Sequence, residues 1–404
     1  MKKYKAYKPS GVDWIGDVPQ GWEKMRFKNF LSLVTDASEN CAKIGLENIE
    51  SATGKFIETD SEFDGNGVAF CKNDIVYGKL RPYLQKVWVA EFEGNAVGDF
   101  FVFRAHKKSN ADFVKWLMLS DGFTREADGA TEGAKMPRVS SDFIMCMKYY
   151  LPPLPEQTAI AAYLDAKCAK IDNVVAVQQK RIELLKELKQ SIITHAVTKG
   201  LDKTAKMKPS GVEWIGEVPE GWEECRFKNF LTLINKPANG GCKIGLENIE
   251  SGSGKFIPSD SDFEGNGVEF ISNDIVYGKL RPYLMKVWVA EFTGNAVGDF
   301  FVFRVKKNAN PDFIKYLILS NGFTKEADGA TEGAKMPRVS SDFILTLRYF
   351  LPSKEEQTAI AAYLDKKCVA IDRQIQKVEK QIELLKEYKQ SVITECVTGK
   401  RKVC

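Results

Sequence analysis

The spacing of hydrophobic positions changes once in the first half of the chain, and the same change recurs in the second half. Up to about residue 150 they fall in short β-rich runs bounded by turn signals: NDIVYG (73–78), KVWVAEF (86–92) and FFVFRA (100–105), separated by Gly-Asn and Arg-Pro clusters. These runs predict strands. DFVKWLMLS (112–120) predicts a helix with Asp112 as its N-cap and Asp121-Gly122 as its stop, and the second half keeps Asp312 and Asn321-Gly322 at those places. The segment reads as a compact α/β or α+β globule.

After LPPLPEQ (151–157) the texture turns helical, with Pro155 suited to a first helical turn and Glu156 complementing the helix dipole. The second half has a capping-box pattern there, Ser353 to Glu356. Apolar or small residues then recur by threes and fours at Leu164, Cys168, Ile171, Val175, Ile182, Leu185, Ile192 and Ala196. The matching series is Leu364, Cys368, Ile371, Ile375, Val378, Ile382, Leu385, Val392 and Cys396, and Gly200 and Gly399 end the two helices. Roughly 40 residues at ~1.5 Å each give about 60 Å, the length of a coiled-coil strut. A membrane-surface or partner-wrapping helix would carry a similar stripe, but the occurrence of one stripe twice in a chain favours pairing of the two helices with each other. Lys180, Arg181, Glu183, Lys186 and Glu187 read as the solvated face.

The two halves are copies. KPSGVDWIGDVPQGWE (8–23) returns as KPSGVEWIGEVPEGWE (208–223), residues 127–144 return letter for letter as 327–344, and EQTAIAAYLD (156–165) returns as 356–365. Solenoid arrays repeat every ~20–50 residues, so this is a duplication at domain scale. The expected segments are a first globule over 1–150, a helix over 151–206, a second globule over 207–350 and a second helix over 351–404. A pseudo-two-fold chain of this kind suits a partner of the same symmetry, such as the halves of a near-palindromic DNA site.

Composition adds limits. With 404 residues, 44% of them hydrophobic and 28% charged, the chain can bury several cores. A net charge of +4 is a mild basic bias that permits nucleic-acid binding without arguing for it. Nine cysteines without Cys-x-x-Cys or paired Cys/His spacing speak against a disulfide framework and against a structural zinc site. Only Cys168 and Cys368 coincide between the copies, on an apolar helix face where a buried, inert thiol is expected. Met1-Lys2-Lys3 is followed by polar residues with no apolar export or spanning segment, which suggests a soluble cytoplasmic protein and no membrane partner.

Catalytic constellations are scarce. The two histidines, His106 and His195, are replaced by Lys306 and Glu395 in the other copy, and no P-loop, dinucleotide fingerprint, nucleophile elbow or Asn/Asp-Pro-Pro-aromatic motif occurs. Asp99, Glu132, Asp299 and Glu332 leave paired-carboxylate chemistry open, although solvated or capping roles are commoner for any one of them. No catalytic residue is expected in this chain. What both copies retain is basic and aromatic residues in turn-bounded stretches. YGKLRPYL presents Lys79, Arg81 and Tyr83 around a Pro-stiffened turn, and again Lys279, Arg281 and Tyr283. The identical run presents Thr131, Lys135, Arg138 and Ser140, and again Thr331, Lys335, Arg338 and Ser340, a mix suited to phosphate contacts and to hydrogen bonds with base edges. Ordinary turns with surface charges would look the same.

SGVDWIGDVPQGWE, YGKLRPYL, the LPPLPEQTAIAAYLD junction and the terminal helices ending in VTKG or VTGK resemble the DNA-specificity subunit of type I restriction-modification enzymes. The resemblance covers essentially the whole chain. It implies an α+β fold: two target-recognition domains held apart by two long helices in an antiparallel coiled coil, pseudo-two-fold, with the termini meeting. It implies no enzymatic centre and no cofactor in this chain. The implied partners are double-stranded DNA, two methyltransferase subunits that bind S-adenosylmethionine and modify adenine, and usually two restriction subunits that use ATP and Mg²⁺. Typical members carry two dissimilar recognition domains, whereas here they are near-copies, so an inverted-repeat target around an unread spacer is expected. A free-standing DNA-binding regulator and a non-DNA adaptor displaying two identical globules are the other readings of the repeat.

Overall fold

The computed structural model describes residues 3–38, 42–238, 240–259, 261 and 263–403. It divides into two units, Met1–Gln179 with Lys380–Cys404, and Lys180–Glu379. The first unit is therefore discontinuous in sequence: the end of the chain belongs to the same compact body as its beginning.

In that unit β1 (Tyr7–Pro9) and β2 (Asp17–Pro19) form an antiparallel pair, followed by β3 (Glu23–Arg26), β4 (Leu31–Val34), β5 (Ala37–Ser38) and β6 (Lys43–Ile44). Then come β7 (Gly67–Phe70), β8 (Ile75–Gly78), β9 (Val87–Val89), β10 (Gly94–Val97) and β11 (Phe100–Ala105). The sheet orders are β4-β11-β8-β9 and β5-β7-β10-β6, with only β10 and β6 parallel. Helices α1 (Ala111–Met118), α2 (Asp121–Gly129) and α3 (Ser141–Cys146) follow, then β12 (Lys148–Leu151), which pairs antiparallel with β3, and α4 (Leu154–Lys199). The second unit repeats the plan with α5 (Pro311–Ile318), α6 (Asn321–Gly329), α7 (Ser341–Thr346) and α8 (Lys354–Val397).

The three β-rich runs fold as strands, and FFVFRA matches β11 end to end. The helix after residue 110 differs from expectation in two ways. Its N-cap is Asn110, whose side chain accepts from Phe113 N, and not Asp112. Asp121-Gly122 does not stop a helix but opens α2, because Ser120 caps the new helix by accepting from Phe123 N. Gly122 is needed there for space: a Cβ would lie 2.0 Å from the Trp14 ring, and in the second unit Gly322 meets Trp214 in the same way.

Each unit holds two cores. The larger gathers Trp22, Phe27, Phe30, Phe113, Phe123 and Tyr149, and the smaller packs Phe70 and Trp88 with Phe56 and Phe92. Full burial of side chains of this size stabilises by roughly 1.5–3 kcal/mol each. The second unit differs at one sheet edge. Where β5 stands in the first unit, Pro237 makes a single bridge to Val268, since proline brings no N–H to a ladder.

Both long helices contribute to the larger cores, as the stripes require. In the first unit Ile160, Leu164 and Cys168 of α4 join Val392, Ile393 and Cys396 of α8. Tyr163 meets Arg401 at 3.1 Å and Asp172 meets Lys389 at 2.7 Å, so rising numbers on one strand of the pair meet falling numbers on the other: the helices run antiparallel. In the second unit Lys189 binds Asp372 at 2.8 Å while Gly200 lies against Glu356, which gives the same direction. There Ile182 and Leu185 are half-buried and Ile371, Ile375 and Val378 are buried. Burial pushes the Cys168 thiol up to about 12 and raises that of Cys368, as inert thiols require.

The helix ends are fixed by side chains of the globules. Tyr149 OH donates to the Val397 carbonyl and Tyr349 OH to the Val197 carbonyl, satisfying acceptors of the last turns. Ser353 accepts from Glu356 N at 3.2 Å, one arm of the expected capping box. The other arm is diverted, because the Glu356 carboxylate accepts from Trp222 Nε1 at 3.1 Å. Glu156 accepts from Trp22 Nε1 at 3.3 Å in the same manner.

Candidate nucleic-acid interface

The two stretches singled out in the sequence are brought together. After β8 the chain runs beside residues 137–139: Arg81 N–H donates to Pro137 O at 2.8 Å, and Val139 N–H to Lys79 O at 3.2 Å. Glu132 and Arg138 exchange backbone hydrogen bonds of 2.9 and 3.0 Å, closing a hairpin whose tip is residues 133–137. Gly133 makes the tip possible at φ +95°, with the Met136 carbonyl 3.2 Å from where a Cβ would stand. The second unit repeats these contacts.

Within this surface the expected residues separate into two groups. Arg138 forks onto Asp99, Nε at 2.7 Å and Nη2 at 2.9 Å, and Arg338 onto Asp299 at 2.8 and 2.9 Å. These bidentate bonds raise both guanidinium pKa values and hold the Asp299 carboxyl below its ordinary range. Lys79 Nζ lies 5.3 Å from the Phe101 ring centroid, and Lys279 Nζ 5.4 Å from that of Phe301. The Thr131 hydroxyl donates to Asp128 O at 2.8 Å, and Ser140 caps α3 by accepting from Phe143 N at 3.2 Å, with Thr331 and Ser340 alike. These side chains hold the loops in place.

Arg81, Tyr83 and Lys135, with Arg281, Tyr283 and Lys335, are exposed and have no side-chain hydrogen bond or ion pair among the described residues. Tyr83 is 53% exposed and Tyr283 49%. Arg81 sits at φ +51°, ψ +68°, a left-handed conformation that a non-glycine residue adopts only under constraint, and Arg281 repeats it at +51° and +69°. The constraint is visible. Pro82 is buried, Leu84 N–H donates to Arg81 O at 2.9 Å, and Gln85 N–H to Pro82 O at 2.9 Å. Two cations and a phenol are thus projected from a rigid frame, which suits phosphate contacts and stacking on bases.

Two further basic residues escape a reading of the sequence. Arg26 of β3 and Lys148 of β12 stand directly opposite in register, both exposed. Like charges opposite one another destabilise a strand pair, so their cost needs an anion or another counter-charge. The second unit has Arg226 opposite Arg348, and there Glu224 binds Arg348 at 2.7 Å. The signal lies in the register, which residues about 120 positions apart do not disclose. Among the described residues no group of three or more His, Cys, Asp or Glu is placed to hold a metal ion. No helix among the described residues is long and apolar enough to cross a membrane.

No family model matches the chain. Among curated proteins, it is 28% identical over 311 residues to the type I restriction enzyme MjaVIII specificity subunit of Methanocaldococcus jannaschii, covering 71% of this chain and 69% of that protein. A specificity subunit of a type I enzyme of Escherichia coli, EcoDI, matches at 24% over the same shares of the two chains. Both relatives are specificity subunits of type I restriction enzymes. The fold has a counterpart among solved structures. It aligns with a chain from a structural study of complex assembly and conformational transition in the type I R-M system at a TM-score of 0.74, with 16% identity over 94% of this chain and 98% of the other. At that identity the likeness concerns the fold alone. The mixed α+β build, with two sheet-rich repeats and two long helices packed together, is the architecture shared with that structure.

Proposed function

We propose that the chain is the non-catalytic, DNA-reading member of a type I restriction-modification complex, with each unit reading one short half-site. The observation that carries this reading is the hairpin surface present in both units, where Arg81, Tyr83 and Lys135 are free while Arg138 and Ser140 brace the loop behind them. Cations at such a tip meet phosphates and supply affinity, and the neighbouring polar groups and phenol face the bases. The Arg138 fork is the geometry that matches a guanine edge, so reading a base with it requires the Asp99 pair to open.

The proposed partners are double-stranded DNA, two adenine methyltransferase subunits and, where present, two restriction subunits. S-adenosylmethionine belongs to the methyltransferase, ATP and Mg²⁺ to the restriction subunit, and this chain binds no cofactor. Modifying the exocyclic amine of adenine takes the base out of the stack, so the methyltransferases close on DNA that this chain has positioned. The helices offer apolar side chains for docking: Val174, Val177, Leu184 and Leu188 are 45–67% exposed. The tips are identical in sequence and the helices pair antiparallel in each unit, which supports an inverted-repeat target.

Reconstitution tests the proposal. The purified chain transfers no methyl group and cleaves no DNA, and adding its methyltransferase subunit yields sequence-specific adenine methylation. Turnover by the isolated chain, or tight salt-dependent binding with no response to a methyltransferase, contradicts it, the latter in favour of a free-standing regulator.

A further inference from the structure

Between Lys135 and Pro137 the hairpin tip carries a large apolar side chain that no core claims. Met136 is 49% exposed, Met336 is also 49% exposed, and neither belongs to the hydrophobic clusters or to the side chains packed against them. A single exposed apolar residue on a loose loop would mean little. This one is on a clamped loop. The paired backbone bonds of Glu132 and Arg138, the bond from Arg81 N–H to Pro137 O, and the Arg138–Asp99 fork leave the tip little freedom to fold its methionine back. Gly133, at φ +95° with the Met136 carbonyl close by, fixes the turn from the other side. The thioether is therefore held outward, flanked by the free cation of Lys135 and, across the Arg81–Pro137 contact, by that of Arg81.

An unbranched apolar side chain between cations fits a base step of duplex DNA: the cations take the phosphates on either side, and the apolar group slides between adjacent base pairs and partly unstacks them. We infer that Met136 and Met336 are wedge residues, each opening one base step in its half-site and lowering the cost of extruding the nearby adenine. This rests on the reading of the hairpin surface as the DNA contact. A wedge gains most at flexible pyrimidine–purine steps, so the opened step should be of that kind.

The test uses the full-length chain and the duplex that it enriches from a random-sequence pool, with 2-aminopurine placed at each purine in turn. Wild type should raise the fluorescence at one step per half-site. Met136→Ala with Met336→Ala should abolish the rise and leave the salt dependence of binding as it was, while Met136→Leu with Met336→Leu should keep it. An unchanged fluorescence pattern in the alanine variant overturns the wedge, and so does loss of methyltransferase assembly in place of the DNA distortion. Lys135→Ala with Lys335→Ala separates the two claims by flattening the slope of log K against log salt by about 1 per lysine. If those variants weaken binding while the methionine variants change nothing, only the wedge fails. If neither pair alters binding, the hairpin surface is not the DNA contact and both readings fall.

Discussion

Lys389 of the long helix and Lys135 of the hairpin tip carry the same charge, and the fold treats them oppositely. Lys389 is 7% exposed, bound to Asp172 at 2.7 Å and to Ala52 O at 3.3 Å, and its counterpart Lys189 meets Asp372 at 2.8 Å. Lys135 and Lys335 have no side-chain partner among the described residues. A charge taken out of water is tolerated only with a partner, whereas a charge left in water can wait for one. The helices thus use their lysines to fix the pairing, and the tips leave theirs open to solvent. The same contrast recurs inside the hairpin, where Arg138 is closed on Asp99 and Arg81 is open.

The largest effect should come from breaking the matched side. Asp172→Ala leaves Lys389 buried without its carboxylate, and breaking such a pair costs about 3 kcal/mol. Urea denaturation should show the first unit losing stability by that amount. Asp172→Leu with Lys389→Met should recover most of it, because a buried pair replaced by apolar groups of similar volume is often neutral. A silent Asp172→Ala would mean that the pair is no more than a surface ion pair.

Gly122→Ala comes next. The added methyl meets the Trp14 ring, and overpacking of this kind costs about 1–3 kcal/mol. Calorimetry should show a lower Tm, relieved when Trp14→Ala is added.

That glycine shows where the sequence stopped being legible. Strands such as FFVFRA and the two apolar stripes declare themselves through local periodicity, which neighbours a few residues apart enforce. Asp121-Gly122 looks like a stop because Gly usually ends helices, but here tertiary packing with Trp14, over 100 residues away, decides its role. The site divided the same way. Composition marked the loops bearing Lys79 to Tyr83 and Thr131 to Ser140. Which of their side chains are tied back depends on Asp99, on Phe101 and on the local register, contacts that spacing along the chain does not encode. The opposed pair Arg26 and Lys148 was hidden for the same reason.

On the open side the effects are smaller and fall on binding. Lys135→Ala with Lys335→Ala should weaken all duplexes alike. Arg138→Ala with Arg338→Ala should loosen the tip and relax sequence preference while the salt slope stays nearly unchanged, as competition binding against random duplex would show. If both pairs act identically, the distinction between free and braced residues is wrong.

The smallest effect is in acid. Asp299 has its folded-state pKa held down by the Arg338 hydrogen bond, so the stability that this pair contributes is present above the pKa of an unfolded Asp, near ~3.9. It is lost only as pH falls through the lower, folded value. A carboxyl NMR titration should find Asp299 protonating below free aspartate, and Arg338→Ala should bring it back. Equal titration in the two proteins would mean that the Arg338 fork does not hold the Asp299 carboxylate.

In the proposed function two identical open surfaces read DNA for a methyltransferase. The most direct measurement is a genome-wide map of methylated adenines in cells that carry the methyltransferase partner, with and without this chain. The expected map shows modified adenines that depend on the chain and lie in an inverted repeat, the same short half-site on opposite strands around a spacer of fixed length. A map unchanged by removing the chain, or a site made of two unrelated half-sequences, contradicts it.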